Sequence, residues 1–245
     1  MGAAGGVKAQ GMSELLSIRD LKATHHDGTV ALRGVSMDLG AGQRTALIGP
    51  NGSGKTSLML AVLGAMSVEG EVVVDGIELS RGTTETIRSR CGMVFQDAGD
   101  QLFMPTLLED VAFGPLNQGQ QPDQAVRTAQ VALASAGLEG LDNRSPHHLS
   151  GGQMRCAALA TVLAMDVKLL LLDEPGANLD GRSRRRLIEL LSDRPEAMLL
   201  ATHDLDMVGK LCSRVVVLEG GLIVADGPTQ QVLSDRSLME AHGLA

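Results

Sequence analysis

A chain of 245 residues with 44% hydrophobic content can bury one substantial core, with room for an inserted subdomain, and needs no disulfide or metal to hold it. Its formal net charge of -8 argues against a surface shaped for nucleic-acid phosphates, and polar or Gly residues break every apolar run short of the roughly 18 residues a membrane span needs. Cys91, Cys156 and Cys212 lie far apart without CxxC spacing, so buried free thiols are expected rather than a disulfide framework or a metal site.

Residues 1–13 carry no apolar block of the roughly 7–15 residues a secretory signal needs. They read as a flexible lead to a protein that stays in the cytosol, with 14–245 as one elaborated domain. Residues 16–21 alternate like an edge strand, and 45–48 form a short buried strand stopped by Gly49 and Pro50. Residues 55–63, apolar-rich and free of Gly, predict a helix. Residues 71–76 read as a strand into a turn, and 92–95 as a strand before a polar loop at 96–101.

From 105 to 165 the β signal vanishes. Residues 123–136 and 150–164 have helical composition, with Gly137, Gly140 and Pro146 between them, which predicts a helical insertion. Strand signals return at 169–172 and 198–202, and 215–218 with 222–225 flank Glu219-Gly220-Gly221 as a hairpin. Strands alternating with helices argue an α/β core with a largely parallel sheet. Arg182, Arg184, Arg185 and Arg186 read as the solvated face of a helix. With no Trp, no Tyr and three Phe, the core must be built from Leu, Val, Ile, Ala and Met.

Between the predicted strand and helix lies Gly49-Pro50-Asn51-Gly52-Ser53-Gly54-Lys55-Thr56. Such a loop presents backbone N–H groups to phosphates at the positive end of a helix dipole. Lys55 can then meet the β- and γ-phosphates of a nucleotide, and the Thr56 hydroxyl can ligate Mg²⁺. The apolar strand ending in Leu172 is followed by Asp173, placed near the second shell of that metal, and by Glu174, which can polarise a water for in-line attack.

This ordered set, completed by Leu149-Ser150-Gly151-Gly152-Gln153, resembles the ATP-binding cassette superfamily from about residue 15 to residue 226. The resemblance implies a P-loop NTPase (RecA-like) core at 14–96 and 166–245 with a largely parallel sheet. It also implies an antiparallel β subdomain and an inserted helical subdomain at 97–165. ATP and Mg²⁺ are the implied ligands, with nucleotide contacts from 49–57, including Ser57. Ser150, Gly151, Gly152 and Gln153 would face the γ-phosphate bound by a second subunit, so the site is complete only in a dimer. Gln96 fits the glutamine that senses Mg²⁺ and water, Asp180 the loop crossing the dimer interface, and His203 the histidine at the γ-phosphate. The catalytic set is therefore Glu174, His203, Gln96 and Lys55, with Thr56, Gln96 and Asp173 around the metal.

Residues 92–119 resemble the ATPases of energy-coupling-factor importers, especially the cobalt and nickel branch, as do 27–32 and 146–149. That implies a homodimer seated at the cytoplasmic face of a membrane on a transmembrane coupling subunit, alongside a substrate-binding membrane subunit. The groove after Gln96 would receive the coupling helices, with Asp100 the candidate to meet arginines of the partner. A vitamin such as biotin is the alternative cargo, a paralogue the alternative dimer partner, and a cassette of another transporter or a soluble cassette protein the alternative function. The chain departs from the family at His25, where a base-stacking Tyr is usual, at Ala98-Gly99 in place of Pro-Asp, and at Gly176. It ends at Ala245, where many relatives continue into a helical extension. Neither His25-His26 nor His147-His148 has a third ligand at metal spacing.

Overall fold

The computed structural model describes residues 14–244, so the lead expected at 1–13 lies outside the described residues. In chain order the elements begin with β1 (Glu14–Thr24), β2 (Val30–Gly40), β3 (Arg44–Ile48), α1 (Lys55–Val62), β4 (Ser67–Val74), β5 (Ile77–Glu78), α2 (Thr84–Arg90) and β6 (Cys91–Val94). The helices α3 (Leu107–Asn117), α4 (Pro122–Ser135) and α5 (Gly151–Leu163) follow. The chain then returns to β7 (Leu169–Asp173), α6 (Gly181–Ser192), β8 (Ala197–Ala201), α7 (Leu205–Leu211), β9 (Arg214–Glu219), β10 (Leu222–Pro228), α8 (Thr229–Ser234) and α9 (Arg236–Ala241).

Two sheets result. A four-stranded antiparallel sheet has the order β2-β1-β4-β5, and a six-stranded sheet has the order β10-β9-β3-β8-β7-β6, parallel except for the β9–β10 hairpin. The parallel strands are short and apolar because both faces are covered. Alternate side chains go to different cores: Leu47, Leu169, Leu171, Leu199, Val216 and Leu218 to one, and Ile48, Leu170, Leu172, Leu200, Val215 and Val217 to the other. In the first core, α1 packs Leu58, Met59, Ala61 and Val62 against Leu16, Ile18, Leu39 and Val74 of the antiparallel sheet.

Helices α3, α4 and α5 build a third core from Leu107, Val111, Ala129, Leu133, Cys156, Ala157 and Ala160. The opposite side of α5 contributes Ala158, Leu159 and Val162 to the second core. A helix apolar on all sides is a buried one, and α5 bridges the helical layer and the parallel sheet. Its approach is close: a Cβ on Gly92 of β6 would sit 2.1 Å from Val162 Cγ1.

Elements absent from the sequence reading have local explanations. In β2 the register with β1 shifts near Gly34, whose φ is +117°, so strict alternation fails across the strand. In α3, Gly114 and Pro115 mask the helix, although the capping box of Thr106 and Glu109 marks its start. Helix α2 buries Ile87 alone and shows no periodicity to read. The arginine run does lie on a helix, α6, but Arg184 is paired with Asp204 and Asp206 rather than simply solvated. All three cysteines are buried and free, and burial pushes the Cys91 and Cys212 thiols up to about 12. No helix among the described residues is long and apolar enough to cross a membrane.

Candidate active site

The loop joining β3 to α1 is held by contacts that only glycine permits. A Cβ on Gly49 would lie 1.9 Å from the Leu218 carbonyl oxygen, and one on Gly54, whose φ is +107°, would lie 2.8 Å from that of Ala31. Gly221 N donates to Ser53 O at 3.0 Å, so the β9–β10 hairpin braces the loop. The first turn of α1 has neither a side-chain cap nor an acidic residue, which leaves its N–H groups and positive dipole end to an anion.

Lys55 is 8% exposed, and its Nζ donates to the carbonyl oxygens of Gly49 at 2.8 Å and Pro50 at 3.1 Å. Burial lowers its pKa, while the carboxylates of Glu174 and Asp173 favour its charge. One residue on, Thr56 Oγ1 donates to Asp173 Oδ2 at 2.6 Å. His25, exposed in the turn after β1, has Nε2 3.3 Å from Ser57 Oγ, which places the imidazole beside the start of α1.

Glu174 extends the β7–β8 ladder by one bond, its N–H donating to Ala201 O at 2.8 Å, and its φ of +46° then turns the chain. Thr202 Oγ1 donates to Glu174 Oε2 at 3.1 Å. Glu174 Oε1 is buried without a hydrogen-bond partner, with His203 Nε2 3.4 Å away. That same nitrogen is 2.9 Å from Asn51 Oδ1. Asn51, Glu174 and His203 follow β3, β7 and β8, so the carboxyl ends of three parallel strands converge, as open α/β sheets do at ligand crevices.

A second group forms elsewhere. Ser150 caps α5, accepting from Gln153 N at 3.3 Å, while Gln153 Oε1 accepts from Ser150 N at 3.0 Å. Gly151 has open space around it, and a Cβ on Gly152 would lie 2.7 Å from Ser183 Oγ. Ser183 N and Arg182 N both donate to Asp180, the cap of α6, and these bonds lower its pKa. Thus the α5 and α6 starts lie side by side. Among the described residues no hydrogen bond joins 150–153 to 49–57.

Gln96, just after β6, has an exposed side chain, and its carbonyl oxygen accepts from Arg155 Nη1 at 2.8 Å. Thr202, Arg155 and Arg184 were not singled out for the site from sequence. Arg155 carried a signal, since it is the one charged residue in the stretch from Met154 to Leu163, which is apolar apart from Thr161. Thr202 carried only its place before His203.

Chemically, the first group offers backbone donors, one ammonium and a cluster of hard oxygen donors. The Thr56 hydroxyl, the Asp173 carboxylate and the unpartnered Glu174 Oε1 fit the oxygen preference of Mg²⁺.

Residues 32–177 match the ABC transporter family. The chain is 48% identical over 236 residues to a Gloeobacter violaceus protein named as an ABC transporter ATP-binding protein, covering 95% of this chain and 97% of the other. It is 38% identical to an energy-coupling factor transporter ATP-binding protein of Methanothermobacter thermautotrophicus, over 94% of this chain and 76% of that protein. Among solved structures, CbiO1 of Clostridium perfringens, described as part of the transporter complex CbiONQ, superposes with a TM-score of 0.81 at 32% identity, covering 94% of this chain and 95% of that one. A dimeric ATP-binding cassette bound to ADP and Pi gives a TM-score of 0.80 at 25% identity, covering 88% and 99%. The glycine loop braced by the hairpin and the paired acids after β7 agree with these matches: the chain belongs to the ABC transporter ATP-binding family and is an ATP hydrolase.

Proposed function

We propose that this chain powers an energy-coupling-factor importer that takes up cobalt or nickel ions, working as a homodimer at the cytoplasmic face of a membrane. The observation that carries the membrane-partner reading is the placement of the aromatic residues. All three Phe of the chain are solvent-facing, with Phe95 39%, Phe103 63% and Phe113 40% exposed, and Phe103 and Phe113 stack edge to face at 5.2 Å. A core without aromatics beside a surface that holds them all suits an interface, where such residues are enriched. All three lie within the segment 92–119 whose sequence resembles these importers, which also holds Asp100. The likeness to CbiO1, part of the transporter complex CbiONQ, supports a place in a membrane transporter complex.

In the mechanism we infer, phosphates take backbone N–H groups of residues 51–56, and Lys55 turns from the carbonyls of Gly49 and Pro50 to the β- and γ-phosphates. Thr56 and Gln96 would hold Mg²⁺, with Asp173 behind Thr56, and the ion would neutralise phosphate charge when bound. Glu174, oriented by Thr202, polarises the attacking water, and His203 contacts the γ-phosphate. His25 lies where the base would rest. The separation of Ser150–Gln153 and Asp180 from the phosphate loop within one chain supports their service to a nucleotide held by a second copy.

The test is ATP hydrolysis of the chain alone and co-expressed with its membrane subunits, followed by uptake of cobalt, nickel and biotin, with Glu174→Gln as control. Hydrolysis that rises in the complex, with metal uptake abolished in the control, supports the reading. Full hydrolysis by the chain alone, with no membrane association, refutes it.

A further inference from the structure

Helix α5 begins at the Ser150 cap and packs into two cores, yet two polar side chains fasten it to the segment that follows β6. Arg155, about one turn beyond Ser150, donates through Nη1 to the carbonyl oxygens of Phe95 at 3.0 Å and Gln96 at 2.8 Å. Gln101 donates through Nε2 to Ala158 O at 2.9 Å and Thr161 Oγ1 at 2.8 Å, and its Oε1 accepts from Phe95 N at 3.3 Å. The loop from Phe95 to Gln101 is therefore bolted to α5 at both ends.

Arg155 is 6% exposed, and among the described residues no carboxylate forms an ion pair with it. Carbonyl oxygens alone receive its hydrogen bonds, while Asp97, Glu174 and Asp173 act on the charge from farther away. A buried cation without a carboxylate partner is costly, and a hydrophobic side chain would fill the same space with less penalty. The distinctive thing the guanidinium supplies is a pair of directional, charge-assisted bonds to consecutive carbonyls. Those carbonyls flank Gln96, and a helix is stiff over the distance from Ser150 to Arg155.

We propose that Arg155 is a positioning residue that locks the Gln96 loop to the helix begun by Ser150, so that a displacement of either is passed to the other. A ligand that engages the start of α5 thereby shifts Gln96 without touching it, and the reverse also holds. The idea does not depend on which cargo the transporter carries.

The experiment is amide hydrogen exchange on the full chain without nucleotide, comparing the native protein with Arg155→Met and Arg155→Lys. Loss of both bonds should speed exchange across 95–101 by roughly tenfold or more, with β7 and α1 unchanged and the lysine variant between the two. In the Glu174→Gln background, adding ATP should slow exchange at both 150–155 and 95–101, and Arg155→Met should break that joint response. Unchanged exchange at 95–101 in the variants overturns the proposal, as does loosening spread evenly over every helix. If the methionine variant does not fold, the lysine variant decides by the same criteria.

Discussion

The hydroxyl of Thr56 donates to Asp173 Oδ2 across 2.6 Å, joining the first turn of α1 to the end of β7. Because Asp173 is 2% exposed, this bond satisfies one oxygen of a carboxylate that has little access to water. Thr56→Val keeps the shape and removes the donor, and should lower stability by about 1–3 kcal/mol. Denaturant unfolding checks that figure. The same variant should lose Mg²⁺-dependent ATP hydrolysis, measured as phosphate release against metal concentration.

Thr202→Val leaves Glu174 Oε2 without its hydroxyl donor. With Glu174 proposed as the base, misorienting it should lower kcat and leave substrate binding alone, so kcat is expected to fall roughly tenfold with KM for ATP little changed. Glu174→Gln should lose hydrolysis more completely while still binding ATP. Equal loss of binding in both variants would mean that Thr202 and Glu174 shape the pocket rather than the reaction.

Gly49 and Gly151 separate fold from function. Gly49→Ala places a Cβ 1.9 Å from a backbone carbonyl and should destabilise the chain by several kcal/mol, read as a lowered Tm. Gly151→Ala meets no atom within 4 Å and sits in the first turn of α5, so its Tm should be at or slightly above native. If the start of α5 receives a phosphate from a second copy, the Gly151 variant should fail to dimerise with ATP in the Glu174→Gln background. Size-exclusion chromatography would show the dimer persisting if that reading is wrong.

Arg184 holds Asp204 through Nε and Nη2 and reaches Asp206 at 2.8 Å. Its guanidinium, helped by the Met207 N–H, keeps the Asp204 carboxyl below its usual range. A carboxyl depressed in the folded state contributes stability that is present above its unfolded pKa and lost as pH falls through the folded value. Arg184→Met should therefore cost about 1 kcal/mol at neutral pH, with the gap to native closing below roughly pH 4. Urea midpoints from pH 3 to pH 7 test this, and a gap that widens with acid contradicts it.

His25 sits beside Ser57 without the ring area of a phenol. His25→Tyr should tighten ATP binding by a few-fold, on the order of 1 kcal/mol, and sharpen preference for adenine over guanine. Competition titrations with ATP and GTP measure both; unchanged affinity would place the base elsewhere.

Much of the candidate site was legible in the sequence, because its residues come in contiguous strings. The loop 49–56, the run ending in Asp173-Glu174 and the capping box from Ser150 to Gln153 each need neighbouring residues at fixed spacing, and spacing is what a sequence displays. The parallel strands were visible for a similar reason, since burial on both faces leaves short unbroken apolar runs. Strand β2 and helix α3 were not, because a register shift at Gly34 and the pair Gly114-Pro115 interrupt the periodicity on which such reading depends.

From sequence alone came the glycine-rich loop, the paired acids, the α/β class, the free thiols and the scarcity of aromatics. Tertiary structure decided that Asn51, Glu174 and His203 meet at the ends of three strands, that Thr202 orients the acid, and that the three phenylalanines face outward. It also decided that Arg155 clasps the carbonyls of Phe95 and Gln96, about 60 residues earlier in the chain. The physical reason is that such contacts depend on strand order and helix packing, which bring distant residues together through a buried core and leave no local pattern along the chain.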